Sequence, residues 1–371
     1  MVSKKDASGQ SMGDVEKMKE AVAGSESEDE LDFDESEEVE EEKTSKNSGS
    51  AKGKEKKEPQ LTDLPGIGNA VAAKLESAGI YDLMSLAVMT PSDLAELAGV
   101  GAAVARKAIQ ASRDLLDLGF QDGSEYAKKR EDVSYITTGS KELDNLLGGK
   151  GISTRSITEA FGAYGSGKTQ IGLTLSVNTQ LPIEKGGASG KCVFIDTEGT
   201  FRPPRVRQIA EGIGANPEKV LKNILVARAF NSDHQILLLE RIGEMIKNGE
   251  KIKLLIVDSL TAHFRAEFSG RGQLAERQQK LNRYMHDLMR LAETYNIAVY
   301  VTNQVMANPA QLFGDPTTAI GGNIVGHAST YRMYLRRGKK DSRVAKLIDS
   351  PDLPDSECLY YVTSSGIRDE Q

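Results

Sequence analysis

Ten residues, Phe161–Gln170 (F-G-A-Y-G-S-G-K-T-Q), restrict this chain more than any other stretch. Gly162, Gly167, Lys168 and Thr169 occupy every fixed position of the pattern G-x-x-x-x-G-K-[ST], with Ala163, Tyr164, Gly165 and Ser166 between them. These residue types follow from the chemistry of phosphate. Glycines let backbone N–H groups turn toward phosphate oxygens without a Cβ in the way. A lysine ammonium sets a point charge against the β- and γ-phosphates, and a threonine hydroxyl can ligate Mg²⁺. The flanks agree. Ser156–Phe161 reads as a short strand, and Thr169–Gln180 is long enough for a helix whose N-terminus faces the phosphates. A glycine-rich turn that matches by accident is the alternative, and four fixed positions between strand and helix speak against it.

The residues from Tyr135 onward alternate strand and helix in an α/β pattern. Gly139–Leu147 reads as a short amphipathic helix. Lys191–Asp196 (K-C-V-F-I-D) is a buried strand that runs into Thr197, Glu198, Gly199 and Thr200, a carboxylate pair where open α/β sheets place their chemistry. Val206–Ile213 reads as a helix, Ile224–Ala227 as a strand, and N-S-D-H-Q (Asn231–Gln235) opens a helix to about Lys247. Lys253–Asp258 (K-L-L-I-V-D) is a continuous apolar strand ending in Asp258, the carboxylate that accompanies a phosphate loop and holds the Mg²⁺ shell. Gly270-Arg271-Gly272 makes a loop with a positive tip, suited to a phosphate backbone, or an ordinary exposed turn. Leu281–Tyr295 is an amphipathic helix, and Ile297–Thr302 a strand leading to Asn303-Gln304. Val305–Ile320, with two prolines and little periodicity, reads as a long functional or disordered loop. Beyond Gly321, Gly322 and a helix bearing His327, three stretches read as consecutive antiparallel strands at the sheet edge: Tyr331–Arg336, Arg343–Ile348 and Leu359–Thr363.

Charge separates the rest. The 371 residues have a formal net charge of −7, but residues 1–58 carry 18 acidic and 10 basic side chains, so the remainder sums to about +1. Poor in aromatics, that segment cannot bury enough apolar surface to offset its ordering entropy and is expected to be disordered. It is either a solvated extension or an acidic tail that docks a basic partner. Cys192 and Cys358 form no disulfide framework and suit a reducing compartment. M-V-S-K-K-D is followed by no apolar stretch, and no apolar run nears the ~20 residues of a membrane span. The expectation is a cytoplasmic protein without a membrane partner.

Leu61–Leu118 reads as a small helical unit with an internal repeat. Asp63–Leu75 and Glu96–Ala108 each hold a G-hydrophobe-G turn, Gly66-Ile67-Gly68 and Gly99-Val100-Gly101, followed by small apolar residues at helical spacing. Both resemble the helix-hairpin-helix motif, which exposes N–H groups to a DNA phosphate beside a helix N-terminus. Lys74, Arg106 and Lys107 lie suitably downstream, although such repeats also mediate protein contacts. In the connector, Phe120 stands alone in a polar stretch. It either folds back on its own domain or inserts into a neighbouring subunit.

Over residues 61–371 these stretches resemble the archaeal members of the RecA/RadA family of DNA strand-exchange recombinases. The motifs agree in order as well as content: two helix-hairpin-helix turns, G-A-Y-G-S-G-K-T-Q, D-T-E-G-T-F-R-P, N-S-D-H-Q, L-L-I-V-D-S, F-S-G-R-G, N-Q-V, I-G-G-N-I-V-G-H-A-S-T and D-S-P-D-L-P. The resemblance implies a RecA-type P-loop ATPase core with a twisted, mainly parallel sheet at 133–371. A disordered tail (1–58), an all-α helix-hairpin-helix domain (59–117) and a linker with a polymerisation anchor (118–132) would precede it. It implies ATP and Mg²⁺ as cofactors, with 162–170 binding ATP, Lys168 catalytic as well, and Thr169 and Asp258 at the metal. It makes Glu198 the general base for the attacking water, Gln304 the γ-phosphate sensor, His327 a second sensor and Arg205 the residue stacked on adenine. Asp349 and Pro354 belong to a cap that an adjacent subunit closes over ATP. Arg271 and Gly272 on one loop, and Phe313, Gly321 and Gly322 on or beside the other, would bind DNA.

The same resemblance favours Phe120 as an anchor in the next subunit and sets Gly123 where relatives usually carry a second, smaller apolar anchor. Pro204 stands where they usually carry Glu. The implied function is ATP-dependent pairing and strand exchange in homologous recombination and repair, on the nucleoid. Single- and double-stranded DNA, further copies of the chain in a helical filament or ring, and recombination mediators are the implied partners. A hexameric helicase, a non-recombinase paralogue and a binding module that uses ATP only to hold an assembly are the alternatives.

Overall fold

The structure, a computed structural model, describes residues 61–77, 80, 83–116, 122–307 and 317–371. The acidic tail, Phe120 and Phe313 lie outside the described residues, as does the side chain of Arg271. The chain divides into two compact units on either side of Leu118/Gly119.

The first unit contains α1 (Asn69–Ser77), α2 (Leu83–Ala87), α3 (Pro91–Ala98) and α4 (Ala102–Leu116). Thr90 caps α3 by accepting from Asp93 N, Pro91 opens its first turn, and Gly99 ends it in the left-handed conformation. The glycine turns of the two repeats are constrained by each other. A Cβ on Gly66 would lie 2.9 Å from Val104 of the second repeat, and one on Gly99 would lie 3.3 Å from the Lys74 ammonium of the first. Leu75, Leu86 and Leu94 are fully buried between the repeats, and truncating any of them to Ala would cost about 2–5 kcal/mol.

The second unit opens with α5 (Gly123–Lys129), a helix within the expected linker that Asp122 caps through Ser124 N and Glu125 N. Next come β1 (Tyr135–Ile136), α6 (Lys141–Leu146) and β2 (Ile152–Ser153). The phosphate-loop unit is β3 (Ser156–Gly162) followed by α7 (Lys168–Asn178). Then follow β4 (Lys191–Asp196), α8 (Pro203–Gly212), α9 (Pro217–Lys222), β5 (Ile224–Arg228), α10 (Ser232–Lys247), β6 (Ile252–Asp258), α11 (Ala262–Glu267) and α12 (Leu274–Tyr295). The chain closes with β7 (Ala298–Asn303), β8 (Val305–Ala307), β9 (Thr317–Ala319), α13 (Gly322–Ala328), β10 (Tyr331–Arg337), β11 (Ser342–Asp349), β12 (Glu357–Thr363) and β13 (Gly366–Arg368).

Nine strands form one sheet in the order β13-β12-β11-β10-β3-β7-β6-β4-β5. From β10 to β5 every pairing is parallel, and from β10 outward to β13 every pairing is antiparallel. Period-two alternation sends Phe194, Ile256 and Tyr300 to one face, against Ile171, Leu175 and Ile209. It sends Ile195, Val257 and Val301 to the other, against Leu239, Leu281, Met285 and Leu288. Both faces are covered, which is why the central strands read as continuous apolar runs. Among the described residues no helix is long and apolar enough to cross a membrane.

Two expectations change. Val305–Ile320 is not irregular throughout: β8 and β9 pair antiparallel, Val305 opposite Ala319 and Ala307 opposite Thr317. Three residues a side are too few for alternation to show in sequence. The C-terminal antiparallel run also has a fourth strand, β13, paired to β12 across a turn in which Gly366 has φ +104°.

Candidate active site

The parallel strands β3, β4, β6 and β7 end on one side of the sheet, and their next residues build a single cleft. The phosphate loop leaves β3 at Gly162. A Cβ there would sit 2.1 Å from Leu335 O of the neighbouring β10, so the position admits only glycine. Gly167, φ +107°, reverses the chain at the start of α7, and a Cβ there would lie 2.8 Å from the Tyr360 hydroxyl. Tyr360 donates to Ser166 O (3.2 Å) and Tyr300 to Lys168 O (3.0 Å), so two buried phenols brace the loop. Tyr164, at its tip, is 98% exposed.

Lys168 Nζ donates to Gly162 O (2.8 Å) and Ala163 O (3.0 Å), so it already lies across its own loop. Burial lowers the pKa of its ammonium, and the charges of Asp258 and Glu198 pull the other way. Asp258, at the end of β6, is buried and receives hydroxyl bonds from Thr169 (2.7 Å), Thr200 (2.8 Å) and Thr302. Burial raises its pKa against those bonds, and the Glu198 charge raises it further. A buried carboxylate ringed by hydroxyls, with the Lys168 ammonium within electrostatic reach, suits a divalent ion held by hydroxyl, water and phosphate oxygens. Such an ion needs no cage of protein carboxylates, and among the described residues no cluster of three or more His, Cys, Asp or Glu side chains could hold a metal.

Glu198 is the carboxylate that faces the cleft. Its Oε1 accepts from Ser259 Oγ (2.6 Å) and Gln304 Nε2 (2.7 Å). Gln304 Oε1 in turn accepts from Arg265 Nη1 (3.1 Å). Glu198, Gln304 and Arg265, with Ala262 and Ala266, line an open cavity of ≈ 450 Å³. Asp196 turns the other way. It accepts backbone N–H groups from Glu198, Gly199, Thr200 and Phe201, and Arg228 lies 3.3 Å from it. The sequence pattern marked a carboxylate pair here, but not this division, in which Asp196 shapes the turn and Glu198 faces the cleft. Arg265, Thr200 and Thr302 had no sequence signal, because each is brought in by tertiary structure alone.

Arg205 donates to Gln170 Oε1 (2.8 Å), Ser364 O (2.8 Å) and Thr363 O (2.6 Å), and lines a second open cavity of ≈ 590 Å³ beside Arg202, Pro204 and Gln208. Burial lowers its pKa. Pro203 and Pro204 occupy the first turn of α8, where no amide donor is needed.

The structure does not bring Asp349 or Pro354 to this cleft. β11 runs away from the phosphate loop: Ala345 is level with Leu335 and Gly162, and Asp349 with Arg332 and Glu159, the middle residue of β3. His327 is exposed in the last turn of α13, which Gly321, φ +99°, precedes and Gly322 begins. Gly272 lies in a short 3₁₀ turn, Arg271–Gln273, leading into α12, where nothing would touch an added Cβ. Gly123 is the first residue of α5, also with open space about it.

Residues 129–370 match the family model described as Rad51, and residues 58–114 match the SAM-like helix-hairpin-helix tandem. The chain is 49% identical over 317 residues to the DNA repair and recombination protein RadA of Metallosphaera sedula, covering 85% of this chain and 98% of that one. It is 48% identical over 318 residues to the protein of the same name from Aeropyrum pernix, covering 85% and 99%.

Proposed function

This chain belongs to the Rad51 family, and on that premise we propose that it is an ATP-dependent DNA recombinase, assembling on single-stranded DNA and exchanging strands with a homologous duplex in recombination and repair. The observation that carries the reading is the pairing of two constellations in one cleft. Thr169 is bonded to Asp258 beside Lys168, and Glu198 is held by Gln304 and Ser259.

In this reading the amides of 162–169 and the Lys168 ammonium hold the triphosphate, and Thr169, backed by Asp258, holds Mg²⁺, which neutralises phosphate charge. Glu198 Oε1 orients a water and accepts its proton. Gln304, bonded to Glu198, senses the terminal phosphate, with His327 as a second sensor. Arg205 offers its guanidinium face to adenine. Asp349 stands where β11 has run away from its own phosphate loop, and in this reading it serves, with Pro354, the site of an adjacent copy. That fits a head-to-tail assembly with an open, heterologous interface. The helix-hairpin-helix domain (59–117), the linker (118–132) and the core (133–371) divide the work. Phe120 anchors each copy to the next, and Gly123 leaves the smaller anchor position without a side chain. Arg271, Gly272, Phe313, Gly321 and Gly322 belong to the two loops that grip DNA.

The test is Glu198→Gln, which keeps the acceptor for Gln304 and removes the base. Phosphate release with single-stranded DNA should fall by on the order of 10²–10⁴, while ATP-dependent DNA binding persists. Undiminished release would place the chemistry elsewhere.

A further inference from the structure

A second buried network lies behind the cleft, and no part of the proposed chemistry uses it. Glu159 sits in β3, three residues before the phosphate loop, and is fully buried. Its Oε2 accepts from Arg332 Nε (2.7 Å), its cross-strand neighbour on β10. The Arg332 guanidinium also lies 5.3 Å from the Phe161 ring centroid. The Oε1 of Glu159 accepts from Asn303 Nδ2 (2.8 Å). Asn303, the last residue of β7, is fully buried and fully committed. Nδ2 donates again to Ile320 O (2.6 Å), and Oδ1 accepts from Thr261 Oγ1 (2.9 Å). Ile320 N donates to Gln304 O (3.0 Å). Both polar backbone groups of Ile320, the residue that ends the β8–β9 ribbon, are therefore held: one by Asn303, the other by the residue bonded to Glu198.

An ion pair is a poor way merely to fill a core, since apolar side chains of the same volume stabilise equally well or better. What they could not do is grip a backbone carbonyl at a set register. We propose that Asn303, backed by Glu159 and Arg332, is a positioning residue of the recombinase reaction: it locks the neck of the β8–β9 ribbon to the strand that enters the phosphate loop, and so couples nucleotide state to DNA binding. Without that lock Gln304 can still meet Glu198, but the ribbon is no longer in fixed register with it. This inference rests on the recombinase reading, and its test separates the two.

The affinity of the intact chain for a labelled single-stranded oligonucleotide is measured by anisotropy with a non-hydrolysable ATP analogue and with ADP. The ratio of the two affinities is the coupling. In Asn303→Ala the ratio should shrink at least tenfold, or about 1.4 kcal/mol, while analogue affinity changes by less than about threefold. Amide exchange at 305–307 and 317–319 should rise together. Thr261→Val keeps shape and removes only the hydroxyl bond to Asn303, and should shift the ratio in the same direction by about threefold. A folded Asn303→Ala protein with the parent's ratio overturns the inference alone. If Asn303→Ala does not fold, Thr261→Val with the parent's ratio does so. A parent chain whose DNA affinity ignores the nucleotide overturns the recombinase reading and the inference with it.

Discussion

Asp196 and Glu198 are two residues apart and do different work. Asp196 is buried and takes four successive backbone N–H groups, which winds 198–201 into a turn and leaves Glu198 pointing at Gln304. Charge-assisted bonds of this kind are worth roughly twice neutral ones. Asp196→Asn should therefore loosen the turn, lowering kcat by on the order of ten- to a hundredfold through misplacement of Glu198, with KM for ATP little changed. A fall in affinity with kcat intact would mean that Asp196 serves binding instead. At this scale the sequence was legible where local spacing expresses the chemistry, as in Gly162, Lys168, Thr169 and Asp258. It was silent where a side chain acquires its partner through the fold. Nothing in the order of residues sets Arg265 on Gln304 or Thr302 on Asp258.

Among the elements, α6 shows how far apart the partners can be. Its N-terminus is satisfied by Asp369, which accepts from Ser140 Oγ (2.5 Å), Lys141 N (2.9 Å) and Glu142 N (3.1 Å). Burial pushes the Asp369 carboxyl up, but the hydrogen bonds from Ser140, Glu142 and Lys141 and the Lys141 charge outweigh it and hold it below its ordinary value of 3.8. A depressed carboxylate contributes stability that is present above its ordinary pKa and lost as pH falls through the folded-state pKa. Asp369→Ala should thus cost about 1 kcal/mol near neutrality in a urea melt, with the gap to the parent closing below pH 3.8. A gap independent of pH would contradict the charged cap. The long strands and helices were readable because burial on both faces prints a continuous apolar run and burial on one prints a period. The exceptions, β1 and β2 of two residues and β8, β9 and β13 of three, are short, and their existence depends on which chain segment lies alongside.

For the whole chain, one sheet end carries the phosphate loop, Glu198, Asp258 and Gln304, while β11 runs away from that end to Asp349, level with the middle of β3. In the proposed reading a single copy does not complete its own site, and catalysis and DNA grip are properties of the assembly. In that reading the terminal phosphate acts through Gln304, whose carbonyl also accepts from Ile320 N at the ribbon neck. Homologous pairing is the direct readout. In a D-loop assay with single-stranded DNA and a homologous duplex, run in parallel with ATP and with ADP, the account predicts joint molecules with ATP and none above background with ADP. Equal yields with the two nucleotides would contradict it.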